Sequence, residues 1–539
     1  MDAARGMVES GDWLVPRYEG RAFFDKPVLT YWLMAGSMSA LGPSYAAARL
    51  VPVLAALALA LATAWLGVLL FDRRSALAGA LVLASTPAFL SFARIAMSDM
   101  LLALWTTTAV ALALRACRPR PPAWVAPALG AALGLGFATK GPIALVVAGV
   151  ALLLLALGSE RARPLPFGLA GLTLAGAAFA VLGLGWFALV YARLGAGPLV
   201  HFFLRENLER FAGEAYDVGR PLWFYPPAYL AEGLPWSCFL PLALWRLLRG
   251  GPADRAGARL LAGWAALVVG LLSLSRGKID YYLLPVYPPL SLVVGRYLAN
   301  APWRALDRGL ARAGLGLGAA ATALLLARPP RVPAGWLPDP SHGPLLVVVA
   351  TLAALVLLAA ALRPTPARVL AALATATAAG FLLLVTLFLP AFSAGQPNRA
   401  IAADVARERL YVPRAQLAFC EDPARVRRDV LFAARHAGVE QCDLWSLAAS
   451  HEPFLFLVSP AQAASFRVLP RYRHVGSYSY LPARALTLDG LLDGVSAGEV
   501  QLVANYATPD PVAERKRRKE YRRRIQEELR EEARRAAAP

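Results

Sequence analysis

Long apolar runs dominate this chain and constrain its fold more than any other feature. A helix needs about 20 predominantly apolar residues to cross the hydrocarbon core of a membrane, and windows of this kind recur from about residue 45 to residue 391. Of the 539 residues, 58% are hydrophobic and only 17% are charged, which is too apolar for an ordinary soluble protein. We therefore predict an all-α polytopic membrane protein.

Twelve membrane spans are predicted. Arginine clusters fall in every second loop between them, which is the positive-inside pattern of cytoplasmic loops. The other loops and both ends of the chain are then predicted to face outward. The spans are approximately 45–71, 75–95, 98–116, 123–140, 142–158, 166–192, 224–247, 259–276, 281–299, 311–328, 344–362 and 368–391.

The formal net charge of +20 comes largely from arginine in the loops between the predicted spans. In a soluble chain such a charge would suggest nucleic acid. Here most arginine lies in short loops between spans, where it sets topology and contacts anionic membrane lipids. We therefore expect no nucleic-acid partner.

The chain divides into four predicted parts. Hydropathy falls from about residue 393, and short apolar runs at 416–420 and 454–458 indicate strands. Cys420 and Cys442 both fall in this soluble region, where a disulfide and two separate thiols are equal alternatives. The parts are a first outward loop with interfacial helices (1–44), a transmembrane domain (45–391), a small extracytoplasmic α/β domain (392–507) and a charged helical tail (508–539).

Several basic and aromatic residues lie in outward loops, against the topological bias. Cations beside aromatic rings at headgroup level suit a lipid-linked phosphate, because arginine binds its oxygens bidentately and lysine acts as a point charge. The combination favours transfer chemistry on a lipid phosphate over ion transport. These residues are Lys26, Lys140, Arg205, Arg210, Arg220, Lys278, Tyr281 and Tyr282.

Two carboxylates lie at the same predicted membrane face. Asp25 and Asp99 could each take the proton from an attacking hydroxyl. Local alternatives stay open: Asp99 as a helix N-cap or the ion-pair partner of Arg94, and Asp25 in a salt bridge with its neighbour Lys26. Lys278 could merely extend its amino group to the membrane interface.

Six segments, in chain order, resemble one family of membrane enzymes. The pattern GDWLVP followed by DKP at residues 11–27 is the most specific, and the shorter pieces add weight by their order. They resemble the aminoarabinose-transferase and protein O-mannosyltransferase-like glycosyltransferases, which have the GT-C fold. The resemblance covers about residues 1–300. The shorter pieces lie at 98–100, 139–142, 205–211, 220–225 and 277–285.

The resemblance implies an inverting transferase that uses a polyprenyl-phosphate sugar. Its active site would face the periplasm or cell exterior, from a bacterial plasma membrane. The donor phosphate would be held by Lys26, by Tyr282 and by arginine of the large outward loop. Arg210 and Arg220 are the candidates for that arginine. We add Lys278 to this group because it lies at the same predicted membrane face. Asp99 matches a second important acidic position of the family.

The chain also departs from the family's pattern. The family's first helix and its Asp-Glu pair, whose Asp is the catalytic base, would lie upstream of Met1. This predicts either a misassigned start or a truncated, inactive protein. Asp25 occupies a position that binds a metal ion in some members of the family. The histidine that completes their site would align near Asn207, which is not a histidine. We therefore predict no metal site and identify no certain cofactor. The alternative that the resemblance implies is a divalent metal ion.

The favoured function is transfer of a sugar from a polyprenyl-phosphate donor to an outer-face acceptor, either a lipid A-like glycolipid, a glycan or a protein. Within enzymes, the alternative is a protein O-mannosyltransferase. A transporter or flippase of lipid-linked sugars would share the basic outer rim but need no base. A catalytically inactive relative is the third reading.

Overall fold

The computed structural model describes the larger part of the chain, in two compact units. One unit comprises Met1–Arg328 with Pro344–Leu384, and the other Pro329–Gly343 with Val385–Pro539. The predicted tail, Cys420 and Cys442 fall outside the described residues. Those residues are 1–18, 21–158, 167–212, 219–300, 303–327, 340–388, 397–412, 416–419, 438–440, 448, 452–468, 471–480 and 498–506.

The described part of the first unit is helical except for one short hairpin. Strands β1 (Arg17–Tyr18) and β2 (Arg21–Ala22) pair antiparallel. The helices are α1 (Asp2–Ser10), α2 (Leu29–Leu41), α3 (Tyr45–Leu70), α4 (Arg73–Ala84), α5 (Pro87–Phe92), α6 (Asp99–Ala116), α7 (Val125–Lys140), α8 (Pro142–Gly158), α9 (Leu169–Phe179), α10 (Gly185–Leu194), α11 (Gly197–Val200), α12 (Arg210–Ala212), α13 (Tyr225–Glu232), α14 (Leu240–Leu248), α15 (Pro252–Leu274), α16 (Tyr287–Asn300), α17 (Ala305–Ala327), α18 (Gly343–Leu362) and α19 (Pro366–Leu383).

Six further helical segments have other hydrogen-bonding patterns. Ala180–Leu184, His201–Glu209 and Leu384–Phe388 are π-helical, and the first of them joins α9 to α10 in one long helix. Trp236–Phe239 and Asp280–Val286 are 3₁₀-helices that lead into α14 and α16. A short 3₁₀ turn, Pro340–His342, precedes α18.

Among the described residues, six helices are long and apolar enough to cross a membrane. They are Tyr45–Leu70, Asp99–Ala116, Leu169–Leu194, Pro252–Leu274, Gly343–Leu362 and Pro366–Leu387. A polytopic helical membrane protein is therefore confirmed. The count of twelve spans goes beyond this and stays a prediction.

Two predicted spans are wrong as continuous helices. The span at 75–95 breaks between α4 and α5, because Thr86 precedes Pro87 and takes an extended backbone with φ −75° and ψ 123°. The span at 224–247 divides into α13 and α14 around Pro235, which lacks a backbone N–H for helical bonding.

Small residues let α4 and α16 pack with their backbones in contact. A Cβ atom added to Gly295 would lie 2.2 Å from the backbone nitrogen of Gly79. Close approach of this kind is typical of helix pairs in membranes, where dispersion contacts replace the hydrophobic effect. It fixes α16, and with it the 3₁₀-helix Asp280–Val286 that carries Tyr282.

The second unit contains a five-stranded mixed sheet. Its order is β4-β3-β5-β7-β6; β3 runs parallel to β4 and β5, and β7 runs antiparallel to β5 and β6. The central strand β5 is buried on both faces. The elements are α20 (Asn398–Tyr411), β3 (Gln416–Phe419), β4 (Gly438–Glu440), β5 (Phe454–Val458), α21 (Pro460–Phe466), β6 (Arg473–Tyr480) and β7 (Gly498–Ala504).

Helices cover both faces of this sheet. Alternate residues of a strand point to opposite faces. Leu455 therefore packs with Ile401 and Val405 of α20, whereas Phe456 packs with Phe466 of α21 on the other face. The described part of this unit is thus an α/β fold.

Candidate active site

A cavity of about 130 Å³ in the first unit brings together four of the residues that were predicted to share an outer face. They are Lys26, Lys140, Arg210 and Tyr282. The other side chains around them are mostly apolar, so the cavity joins a cationic end to a hydrophobic wall. The remaining lining residues are Leu102, Ile143, Val147, Phe202, Glu206, Asn207, Phe211, Leu271, Leu272, Ser275, Gly277 and Pro285.

Lys26 enters the cavity from the loop between the β1–β2 hairpin and α2. The hairpin that precedes this loop is closed at its base by a hydrogen bond of 2.8 Å from Phe23 N to Pro16 O. Pro27 and Val28 are buried and anchor the loop to the helices. Lys26 Nζ donates to the carbonyl oxygen of Asp25 at 3.0 Å. The lysine is therefore held in place by its own backbone and by the adjacent apolar residues.

The π-helix His201–Glu209 supplies the carboxylate of the cavity. Hydrogen bonds in a π-helix join residues five apart, so His201 and Glu206 stack on the same side. The Glu206 side chain is only 4% exposed and lies 2.9 Å from the Arg210 guanidinium and 3.5 Å from Lys26 Nζ. Glu206 therefore holds two cations of the cavity from a single position.

Lys140 is paired with Asp99 across two helix ends. Asp99 begins α6 and Lys140 ends α7, so each charge complements the dipole of its own helix. Lys140 Nζ donates to the Asp99 carboxylate and also lies 4.2 Å from the centre of the Tyr282 ring. The alternative of an Asp99–Arg94 pair is wrong, and the N-cap position belongs to Ser98.

Gly141 makes the turn that presents Lys140 to the cavity. Its φ is +70°, a left-handed conformation that glycine adopts without steric cost. A Cβ atom at this position would also lie 2.5 Å from the ring of Phe202, which lines the cavity. These two constraints explain why a glycine follows Lys140 in the Thr-Lys-Gly-Pro sequence.

Positive charge predominates in the cavity. Lys26, Lys140 and Arg210 line it, whereas two carboxylates, those of Glu206 and Asp99, pair with them. Burial, together with repulsion from Arg210 and Lys140, lowers the pKa of Lys26 from 10.5 to about 8. A bound anion would relieve this repulsion, so the geometry suits an anionic ligand with an apolar body.

Asp25, His201 and Glu206 form a second feature of the same site. Their ligand atoms all lie within 4.8 Å of one another, and His201 Nε2 lies 3.0 Å from Asp25 Oδ1. The structure thus brings a histidine and a second carboxylate to Asp25, where the sequence made a metal site doubtful. The histidine was expected near Asn207, but Asn207 Nδ2 donates to the Phe202 carbonyl at 2.7 Å, and His201 approaches Asp25 instead.

One imidazole nitrogen and two carboxylates are a donor set that fits Zn²⁺ or a similar divalent cation. Lys26 and Arg210 also pair with the Glu206 carboxylate. A bound cation would therefore compete with them for it.

Other predicted residues lie outside the cavity lining. Arg220 donates to Asp280 Oδ1 at 2.6 Å and stacks over Phe224, and Lys278 is buried with its amino group donating to Ser275 O at 2.5 Å. The geometry therefore does not support Arg220 and Lys278 as direct phosphate ligands. The alternative that Lys278 extends its amino group to the membrane interface is wrong, because that group is buried against Ser275 O.

Arg205 and Tyr281 also stand apart from the cavity. Arg205 is exposed on the π-helix. The Tyr281 ring packs edge-on against Phe92, with 6.3 Å between the ring centres. Neither side chain lines the cavity.

His201 and Glu206 were missed from the sequence because their alignment depends on the π-helix. A regular helix brings together residues three or four apart, so a spacing of five carries no signal. The spacing of four between Glu206 and Arg210 was readable, and it is the ion pair that forms.

Comparisons with known proteins support the resemblance. Residues 25–186 match the family described as dolichyl-phosphate-mannose-protein mannosyltransferase. The chain is 32% identical over 317 residues to the undecaprenyl phosphate-alpha-4-amino-4-deoxy-L-arabinose arabinosyl transferase of Pectobacterium carotovorum, covering 57% of this chain and 55% of that protein. Against the transferase of the same name from Pseudomonas aeruginosa strain LESB58, it is 35% identical over 306 residues, 55% of this chain and 54% of the relative.

The fold extends the similarity along the chain. The crystal structure of ArnT from Cupriavidus metallidurans bound to undecaprenyl phosphate matches with a TM-score of 0.73 over 94% of both chains, at 22% identity. Its apo form matches with a TM-score of 0.69 over 94% of this chain and 93% of that one, again at 22% identity. The predicted resemblance to the aminoarabinose-transferase and O-mannosyltransferase-like enzymes is confirmed. The alignments to the curated relatives span little more than half of their length.

Proposed function

We propose that this protein is a membrane glycosyltransferase that transfers a sugar from a polyprenyl-phosphate donor to an acceptor at the outer face of a bacterial plasma membrane. The observation that carries the proposal is the cavity in which Lys26, Lys140 and Arg210 meet a wall of apolar side chains. A polyprenyl phosphate has the same division, an anionic head on a hydrocarbon chain. The sequence relatives named above are transferases that use such a donor.

Each cation has a distinct task toward the donor phosphate. Arg210 offers two parallel N–H groups, which match two phosphate oxygens. Lys26 and Lys140 add point charges, and the Tyr282 ring beside Lys140 keeps that amino group near the cavity. The volume of about 130 Å³ is well below that of pockets that enclose a drug-sized ligand. We therefore infer that the head group is enclosed while the isoprenoid chain continues into the membrane.

The cations also explain how the cavity would promote transfer. The acceptor attacks the anomeric carbon from the face opposite the lipid phosphate, and the bond from that carbon to the phosphate oxygen breaks. Negative charge grows on the leaving phosphate as the bond breaks. Lys26, Lys140 and Arg210 are already in place to stabilise this charge, which lowers the barrier without rearrangement.

The acceptor decides whether a base is needed. A hydroxyl acceptor must lose a proton, and Asp25 and Asp99 are the candidate bases within reach of the cationic cluster. A phosphate acceptor is already ionised and needs none. We propose 4-amino-4-deoxy-L-arabinose as the sugar, which the names of the relatives support, and a lipid A-like glycolipid as the acceptor.

A divalent cation fits the same site as an auxiliary group. Asp25, His201 and Glu206 would hold it, and it would supply further positive charge beside the phosphate. The described residues already place Lys26 and Arg210 there. Stabilisation of the leaving phosphate therefore does not depend on the cation.

We further propose a GT-C architecture of about twelve spans, with the outward loop 1–44, the transmembrane domain 45–391, an extracytoplasmic α/β domain 392–507 and the helical tail 508–539. The six long apolar helices and the mixed sheet of the second unit support this division. The arginine-rich loops at the other helix ends support the proposal that the cavity faces outward.

The decisive experiment uses the full chain in proteoliposomes with a labelled polyprenyl-phosphate sugar. Release of the labelled sugar to lipid A shows transfer, whereas movement of intact donor across the bilayer shows a flippase. Arg210→Ala should reduce transfer at least about 100-fold, as loss of an oxyanion-stabilising donor does. Arg205→Ala removes an equal charge from the same helix outside the cavity and should leave transfer unchanged. Equal effects of both variants would refute the assignment.

A further inference from the structure

A second cavity, of about 410 Å³, lies at the opposite end of α15 from the candidate active site. Asp254, in the first turn of α15, lines this second cavity, whereas Leu271 and Leu272 near its last turn line the first. At 1.5 Å per residue, about 27 Å of helix separates Asp254 from Leu272. That distance is close to the thickness of the hydrocarbon core, about 30 Å. The two cavities therefore lie at opposite faces of the membrane that α15 is suited to cross.

Arginine dominates this second cavity. Arg246, Arg249, Arg296 and Arg304 line it, against Asp254 as the one carboxylate among its lining residues. They come from the end of α14, from α16 and from the residue before α17, so three segments converge. Such convergence of like charges costs free energy unless anions compensate it.

Internal carboxylates compensate two of the four arginines. Arg246 Nη2 lies 2.7 Å from Asp307 Oδ2, and the Asp307 side chain is fully buried. Arg296 Nε lies 2.8 Å from Asp254 Oδ1, and its Nη1 pairs with Asp72. These pairs fix Arg246 and Arg296 as the floor of the cavity.

The other two arginines lie at its mouth without such a partner. Arg249 and Arg304 are exposed, and among the described residues neither guanidinium forms a salt bridge with a carboxylate. The contact of Arg304 with Asp307 is made by its backbone, whose N–H donates to Asp307 Oδ2 at 2.6 Å. The Arg249 guanidinium stacks over Trp245 with 5.0 Å to the ring centre, and that of Arg246 lies at the same distance from the ring. Trp245 is itself exposed, as tryptophan commonly is at a membrane interface.

We propose that this second cavity binds the phosphate head group of an anionic membrane lipid, on the membrane face opposite the candidate active site. Arg249 and Arg304 would each bind phosphate oxygens bidentately. Trp245 would lie against the glycerol and the upper acyl chain, since its ring is apolar and suited to this depth. A basic pocket between membrane helices is a known type of lipid head-group site. The proposal stands independently of the sugar-transfer reaction.

The test is lipid retention by the full-length protein, measured by native mass spectrometry after stepwise delipidation and titration. Phosphatidylglycerol is the probe, and phosphatidylcholine is the zwitterionic comparison. The site variant is Arg249→Gln with Arg304→Gln; both side chains are exposed, so folding should be preserved. The matched control is Arg255→Gln with Arg308→Gln, exposed arginines of the neighbouring helices that do not line the cavity.

We expect wild type and control to hold phosphatidylglycerol in preference to phosphatidylcholine. The site variant should bind phosphatidylglycerol at least about tenfold more weakly, because two charge-assisted contacts are lost. An equal loss in both variants would indicate diffuse surface attraction and overturn the proposal. Displacement of the lipid by an equal concentration of inorganic phosphate would show a site for soluble phosphate and would overturn it too. Binding of polyprenyl phosphate at the first cavity should be unchanged in the site variant, which separates the two assignments.

Discussion

The amino group of Lys26 lies 3.5 Å from the buried carboxylate of Glu206, and this pair joins the first loop of the chain to a π-helix far along the sequence. The same carboxylate pairs with Arg210 at 2.9 Å. A bound phosphate would therefore compete with the Glu206 carboxylate for Lys26 and Arg210. Because one carboxylate serves two cations, the pocket stays positive and able to accept an anion.

Binding of polyprenyl phosphate should weaken as pH rises through about 8. Burial and nearby cations lower the pKa of Lys26 to about 8, so its charge is present below that pH and lost above it. Lys26→Arg should remove this dependence, because the guanidinium stays charged throughout. Affinity for undecaprenyl phosphate, measured from pH 7 to 9.5, tests both statements. A flat profile in wild type, or the same slope in Lys26→Arg, would contradict the role of Lys26.

Asp99 and Lys140 should behave as a coupled pair in stability. Their side chains are only 4% and 12% exposed. Asp99→Asn or Lys140→Met alone should therefore reduce the free energy of unfolding by about 3–5 kcal/mol, because a buried charge loses its partner. The double variant should recover most of this loss but still bind polyprenyl phosphate poorly, since Lys140 lines the cavity. Additive melting-temperature losses would argue against the pair.

A divalent metal ion should bind through His201. Together with Asp25 and Glu206, its ring nitrogen completes a set of ligand atoms within 4.8 Å of one another. Loss of one of three ligands should weaken Zn²⁺ binding by at least about 100-fold. Isothermal titration of metal-stripped His201→Ala with Zn²⁺ measures this. His342→Ala, an exposed histidine outside the set, is the control and should bind like wild type. Full binding by His201→Ala would exclude the site.

Substitution of Gly141 should disturb the cavity through its backbone. Gly141→Ala meets both a φ of +70° and the Phe202 ring, so it should lower the free energy of unfolding by about 1–3 kcal/mol and weaken phosphate binding. Gly149→Ala in α8 is the control, because a Cβ atom there meets no neighbour within 4 Å and alanine favours a helix. Melting temperatures and phosphate affinities of the two variants provide the measurement. Equal behaviour would show that the turn at Gly141 tolerates a side chain.

The sequence predicted part of this site for a definite reason. Lys26, Lys140, Arg210 and Tyr282 were grouped because consecutive spans alternate their ends between the two membrane faces, and the structure places all four around one cavity. The same reasoning also included Arg220. Topology assigns a residue to a membrane face, but it does not say which neighbour at that face forms an ion pair with it. Arg220 forms its ion pair with Asp280 and is therefore not part of the cavity.

What the sequence determined by itself was the class of fold, a polytopic helical membrane protein; the membrane face of its cations stays a prediction from the same charge pattern. Hydrophobic burial and charge bias accumulate along the chain and can be read from it directly. Only the tertiary structure decided that His201 meets Asp25, that Glu206 lies between Lys26 and Arg210, and that Asp99 pairs with Lys140. Such pairs depend on separations of 3–4 Å between segments distant in sequence, and a π-helical turn changes those separations without leaving a mark in local hydropathy.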